Sequence, residues 1–305
     1  EGTDMEEARF ERWEERRPLP GLAAECFELH ENRPGIFASS HWHNESELIL
    51  VQRGCYRILA GAEGRLLAAG EAVFIPQRLR HTTICPDQPE VSLIVLKFEP
   101  SFLLAADPAE GEAELLSGAG MDGAALWLSP METACCGLPS RLGLMLREIA
   151  AERTGWRLAV RAGICTILLE LLRLAEARRQ TPGPARSEAG ADLGPVFDYL
   201  ERHYREPVRA GDLLPLCHLS YSRFSVRFKE LTGFCLTEYL NRLRISRARR
   251  LIEAGEMPLG EVAAACGFLD PCYFDRLFRR YTGMTPSRCR REYAAAKAAG
   301  KEPSA

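Results

Sequence analysis

Four side chains carry the chemistry most open to reading from sequence: His41, His43, Glu47 and His81. Three of the chain's six histidines fall in two short segments, GIFASSHWHNESELILVQRG at 35–54 and GEAVFIPQRLRH at 70–81. Two or three imidazoles with a carboxylate form a donor set suited to Zn, Fe, Mn or Ni. Side chains alternate faces along a strand, so His41, His43 and Glu47 share a parity and can face one interior. Glu45 has the same parity, so alternation alone does not choose between the two glutamates, and a bulge would change the answer. Three arrangements fit these residues. One is a metal-free pocket in which they hydrogen-bond a small polar effector, such as a sugar or an organic acid. Another is a bound divalent metal, structural or touching the effector. The third is a barrel mouth with no ligand role. Phe37, Trp42, Phe74 and Arg80 are the candidate neighbours, although the opposite parity of Trp42 suits the core as well.

The elements that position these groups read as strands. Residues 22–98 hold short apolar runs, LILV at 48–51, AVFI at 72–75 and VSLIVLKF at 91–98, with Gly54, Gly61, Gly64 and Gly70 between them. Runs of this length and spacing predict a β-sandwich or barrel. From about 140 the period becomes helical. Leu142, Leu146 and Ile149 form one stripe, and 161–179 carries Ile164, Ile167, Leu168, Leu171, Leu172 and Ala175. Two helices this apolar need a partner surface, either the barrel or a second copy of the chain. The Pro- and Gly-rich stretch 179–192 reads as a linker, and 193–293 reads as helices broken at glycines and prolines.

Charge divides along the same line. The net charge of −3 splits into −8 over 1–191 and +5 over 192–305, with +7 concentrated in 220–291. A basic half on an acidic half predicts one domain that meets a polyanion. The eleven cysteines form no CxxC pair and predict reduced, mostly buried thiols. The charged N-terminus lacks a signal-peptide core and no run is long enough to span a membrane, so the expected location is the cytoplasm.

Within the basic half two segments share one plan. In 208–233 a short helix around 212–217 precedes a turn, Ser220 is the expected cap of the next helix, and Phe224, Phe228 and Leu231 form its buried stripe. In 259–283 Asp270 caps, Pro271 opens the helix, and Phe274 and Phe278 repeat the buried pair. FSVRFKELTG against FDRLFRRYTG gives an internal repeat of 50 residues. One amphipathic helix, 237–255, joins the two units. At 1.5 Å per residue it spans roughly 27 Å, a strut able to hold two helices near one duplex turn apart, about 34 Å.

The stretch VAAACGFLDPCYFDRLFRRYTGMTPSRCR (262–290), with YLNRLRISRARRLI (239–252), resembles the signature of the AraC/XylS family of regulators. Two positions depart from it. Cys289 stands where a tyrosine is usual, and Val226 where a basic or polar residue is common. The resemblance implies DNA contact by Tyr221, Ser222, Arg223, Ser225, Val226 and Lys229 in the first unit and by Cys272, Tyr273, Asp275, Arg276 and Arg279 in the second. Arg276 can donate twice to a guanine, Asp275 can accept from a cytosine or orient Arg276, and Lys229 and Arg279 suit phosphates. The His-x-His, Glu47 and GEAVFIP segments resemble the two motifs of the cupin superfamily, departing at Arg78, where glycine is usual, and at Cys85, where asparagine is usual.

The expected architecture is therefore α+β and multidomain. An N-terminal extension (1–21) leads to a cupin-like jelly-roll barrel (22–135) that binds the effector. A helical hairpin (136–178) is the candidate dimer face. A linker (179–192), a tandem helix-turn-helix domain (193–295) and a tail (296–305) complete the chain. The expected function is effector-controlled transcription regulation, with double-stranded DNA, a sugar-like metabolite, a second copy and RNA polymerase as partners. No cofactor is required and no catalytic residue is expected, a divalent metal at His41, His43, Glu47 and His81 being the one candidate. The rival reading is a metal-dependent cupin oxygenase or isomerase fused to a DNA-binding module.

Overall fold

A computed structural model describes residues 22–31, 35–86, 90–99, 124–180, 193–255 and 257–298. The expected extension 1–21 lies outside these residues, as does nearly all of the expected linker. The strands are β1 (Ala24–Glu31), β2 (Gly35–His41), β3 (Ser46–Arg53), β4 (Cys55–Ala60), β5 (Glu63–Ala68), β6 (Ala72–Ile75), β7 (His81–Cys85), β8 (Val91–Phe98) and β9 (Leu126–Leu128). They form two antiparallel sheets, β1-β8-β3-β6-β9 and β2-β7-β4-β5. Between the sheets lies an apolar filling that includes Ile49, Val51, Tyr56, Ile58, Val73, Ile75, Leu93 and Val95. Alternation explains it: Leu48 and Leu50, one residue away on β3, face the other side.

Each sheet has its outer face covered by helices. α1 (Pro130–Cys135), α2 (Leu138–Ala151) and α3 (Trp156–Gln180) follow the barrel. Ile164, Ile167, Leu168, Leu171 and Ala175 of α3 are buried with Leu48, Phe74 and Leu96 of the five-stranded sheet. The apolar stripe expected to be a dimer face is thus sequestered on its own barrel. Phe74 belongs to this layer and does not border the histidines. α3 also begins five residues before the expected start, at Trp156, which is itself buried.

The remaining helices are α4 (Gly194–His203), α5 (Ala210–Cys217), α6 (Tyr221–Thr232), α7 (Leu236–Ala254), α8 (Leu259–Ala265), α9 (Pro271–Thr282) and α10 (Pro286–Ala298). α10 runs past the expected domain end at 295. The strut α7 is divided between two cores. Tyr239, Leu240 and Leu243 join Phe224, Phe228 and Leu231, whereas Ile245, Ala248 and Ile252 join Phe274 and Phe278. Caps follow the expectation in one unit only. The Asp270 side chain accepts from the Cys272 N–H, whereas Ser220 occupies the N-cap of α6 without a side-chain cap bond. Its Oγ lies 3.4 Å from Ser222 Oγ instead. No helix among the described residues is long and apolar enough to cross a membrane.

Candidate functional site: a buried histidine cluster and two exposed reading helices

His41, His43, Glu47 and His81 converge, but not by alternation along one strand. β2 ends at His41 and β3 begins at Ser46, so His43 sits in the connection between them. Arg78 clamps that connection through both its backbone and its side chain. Its N–H donates to the His43 carbonyl at 2.8 Å and its Nε to Asn44 Oδ1 at 3.3 Å. Arg78 has φ +62°, the left-handed region, which gives a physical reason for a glycine preference at this position. The bulges between β2 and β7 then bring His41 opposite His81.

The cluster is buried. His41, His43, Glu47 and His81 are 7%, 3%, 5% and 2% exposed. Donor atoms of the three imidazoles lie within 4.8 Å of one another, and Glu47 Oε2 lies 3.2 Å from both His43 Nε2 and His81 Nε2. The tautomers follow from the outer nitrogens. His43 Nδ1 is 2.9 Å from the Glu45 carbonyl and His81 Nδ1 is 2.8 Å from the Leu79 carbonyl. A carbonyl only accepts, so both Nδ1 atoms carry the proton. With Nδ1 turned outward, Nε2 of each of these two rings faces the carboxylate. Burial, and then the neighbouring His41, push the His81 pKa down to about 4, so that ring is neutral near pH 7. His81 Nε2 is buried without a hydrogen-bond partner. Burial pushes the Glu47 carboxyl up, but Lys97 together with His43 and His81 holds it well below the usual carboxylate range. Imidazole nitrogens and a carboxylate thus meet at one buried point, a donor set that suits a cation.

Lys97 is the residue that sequence reading missed. It stands directly across from Glu47 on β8, with Nζ 3.8 Å from Oε2. Only strand register could have found it. Among the expected neighbours, Phe37 packs on the filling between the sheets and Trp42 is half-buried. Arg80 points away from the cluster and forms an ion pair with Asp198 of α4.

In the helical domain the expected reading residues mostly face solvent. Tyr221 and Val226 are 64% and 59% exposed, and Ser222, Arg223, Ser225 and Lys229 are exposed beside them. On α9, Cys272, Asp275, Arg276 and Arg279 are exposed. Tyr273 is the least open of the expected residues. It is half-buried, and its hydroxyl accepts from Asn241 Nδ2 at 3.1 Å. Its ring carries the Arg276 guanidinium at 5.3 Å, so Tyr273 aims Arg276.

Two exposed helices of like construction, joined by one strut and set beside a jelly-roll barrel, define a two-domain DNA-binding regulator with a ligand-binding domain. The comparisons agree. Residues 25–114 match the model of the AraC-like ligand binding domain and residues 216–292 that of a helix-turn-helix domain. The chain belongs to the AraC family of transcription regulators. Over 98 residues it is 34% identical to the uncharacterized HTH-type transcriptional regulator YijO of Escherichia coli, covering 32% of this chain and only 35% of that relative's length. Over 273 residues it is 25% identical to the HTH-type transcriptional activator RhaR of Pectobacterium atrosepticum, covering 86% and 89% of the two chains. Among solved structures, fatty-acid-bound ToxT of Vibrio cholerae aligns with a TM-score of 0.39 and 13% identity over 90% of this chain and 96% of that one.

Proposed function

We propose that this regulator's affinity for its operator is set by a divalent metal ion held by His41, His43, Glu47 and His81. The observation that carries the reading is the convergence of three buried imidazoles beside the Glu47 carboxylate, with the Nδ1 atoms of His43 and His81 tied outward to backbone carbonyls. That outward bond is how metal-binding histidines are oriented. Three imidazoles with Glu47 beside them would hold a divalent ion such as zinc. The helix-turn-helix domain joined to the barrel supports a sensing role over an oxygenase or isomerase. When bound, the ion supplies the positive charge that the buried cluster needs. The chain's own groups fix the rings and exclude water.

A second reading has one observation in its favour. Lys97 already places a cation beside Glu47, which suits a metal-free pocket for a sugar or related metabolite hydrogen-bonded to the same four residues. Metal analysis of the full-length protein, with Co(II) absorption spectra of the wild type and of His43→Ala and Glu47→Gln, separates the two. Stoichiometric Co(II) with an all-nitrogen/oxygen spectrum, lost in both variants, supports the metal. No cluster-dependent binding overturns it.

On DNA, Arg276 and Asp275 would read bases in the second unit, and Ser222, Ser225 and Val226 in the first. Tyr221 and Cys272 would border these contacts, and Arg223, Lys229 and Arg279 would meet phosphates. A second copy would dock on the outer stripe of α3. There Leu158, Ala162, Cys165 and Leu169 follow the alternating four-three spacing of a helix pair, and Leu158 and Leu169 are 71% and 41% exposed. RNA polymerase would be the partner of a bound activator.

A further inference from the structure

The outer face of the four-stranded sheet is an interface with the first helix-turn-helix unit. Ile36, Leu59 and Ile84 of the barrel share one buried cluster with Val196, Phe197, Leu200, Phe228, Leu231 and Tyr239. Arg57 of β4 donates to the carbonyls of Glu230 and Leu231, at 2.9 and 3.1 Å. Those carbonyls belong to the last turn of α6, where the helix itself supplies no partner. A barrel arginine therefore caps the first reading helix and complements its dipole. The fit is close: a Cβ added at Gly64 would lie 3.0 Å from Leu231 Cδ2 and 3.1 Å from its carbonyl oxygen.

This dock does not mask the reading surface. The reading stripe of α6, with Ser222, Ser225, Val226 and Lys229, stays exposed while Leu231 and Arg227 face the barrel, Arg227 donating to the Ala62 carbonyl at 3.2 Å. The barrel acts as a mount for the first unit.

Strand β7 joins this mount to the histidine cluster. Alternation places His81 and Cys85 inward and Thr82 and Ile84 outward. His81 is one of the three clustered imidazoles and lies 3.2 Å from Glu47. Thr82, the next residue, shares a hydrogen bond with the hydroxyl of Tyr239, at the start of the strut α7. Arg80, the preceding residue, pairs with Asp198 on α4. The two residues flanking the ligand His81 thus both hold the DNA-binding domain. A displacement of one strand by a fraction of an ångström at His81 reaches α4 and α7 with no intervening loop, because close-packed interiors transmit strain.

We infer that Arg80, Thr82, Asp198 and Tyr239 are positioning residues that convert occupancy of the histidine cluster into the setting of the first helix-turn-helix unit. The inference rests on the reading that the cluster holds the regulatory ligand. Binding that shifts His81 turns α7 on its mount and resets the first reading helix relative to the second. Linkage makes the effect reciprocal: DNA must change the affinity for the ion by the factor by which the ion changes the affinity for DNA.

The test uses the full chain, Co(II) alone as the ligand, and duplex DNA recovered by selection from a random pool. Tyr239→Phe keeps the buried ring and removes the hydroxyl, and Arg80→Gln removes the ion pair. The wild-type operator affinity is expected to change about 5–150-fold between Co(II)-free and saturated protein. Either variant should still bind Co(II) with the wild-type spectrum while that change collapses to about twofold or less. A variant that keeps both Co(II) binding and the full wild-type change overturns the inference. If wild-type Co(II) binding proves independent of the cluster, the metal reading fails, and hydrogen exchange decides the coupling separately. His81→Ala should alter amide protection in 194–200 and 236–243, and Tyr239→Phe should abolish that response. Unaltered protection in both segments overturns it.

Discussion

Gly267, in the turn between the two helices of the second unit, offers a sharp test of how the DNA-binding domain is held together. Its φ is +81°, and a Cβ added there would lie 2.4 Å from the carbonyl oxygen of Arg205 and 2.6 Å from its Cα. Two costs follow for Gly267→Ala. The left-handed conformation costs a residue with a Cβ about 1–2 kcal/mol. The overlap is with backbone, which cannot rotate away, and overpacking of this kind costs about 1–3 kcal/mol more. The expected loss is therefore about 2–5 kcal/mol. For a domain of this size it lowers the melting temperature by roughly 10 °C or more. Because Arg205 lies in the connection between α4 and α5, the damage should loosen the joint between the two units as well as the second unit itself. Gly260 is the control, since nothing lies within 4 Å of its added Cβ and its φ is not positive. Gly260→Ala in α8 should be neutral or stabilising by up to about 1 kcal/mol through helix propensity. Urea unfolding followed by helical circular dichroism measures both. Equal stabilities for the two variants would refute the argument.

Three further outcomes are expected. Arg276→Ala should weaken binding to selected operator DNA by about 1–3 kcal/mol and relax preference at one base pair, and Tyr273→Leu should reproduce part of that loss because the ring aims the guanidinium; anisotropy titrations against operator and single-substituted duplexes measure both, and unchanged preference removes Arg276 from base reading. Asp270→Ala should destabilise α9 by about 1 kcal/mol, whereas Ser220→Ala should cost far less, because only Asp270 makes a side-chain cap bond; equal losses in thermal unfolding would contradict the difference. Leu169→Glu, on the outer stripe of α3, should convert a dimer to a monomer in sedimentation velocity without lowering the melting temperature. A wild type that is monomeric at the same concentration would dispose of that surface.

Much of this architecture was open to reading in the sequence because periodicity and punctuation carried it. Phe224 with Phe228 and Phe274 with Phe278 marked the two buried stripes, and all four are buried in the structure. The apolar runs at 48–51 and 72–75 fall within β3 and β6. What was hidden depended on register, connections and docking. Glu47 was distinguished from Glu45 by the turn that breaks the alternation after His41. Lys97 joined the cluster through a cross-strand pair 50 positions away. Arg57, Thr82 and Tyr239 carry no local signal at all, since their roles arise only where the sheet meets the helical domain. The face of α3 was assigned to a partner because apolarity was legible and its destination was not. Ser220 stood in a capping position, but its hydroxyl turned to Ser222.

The central claim is that occupancy of the buried histidine cluster and DNA binding are linked. The most direct measurement is the affinity of the full chain for selected operator DNA in the presence and absence of saturating Co(II), made in parallel on the wild type and on His81→Ala. The account predicts an affinity that depends on the ion in the wild type and ignores it in the variant. Identical ion dependence in the two proteins, or none in the wild type, would contradict it.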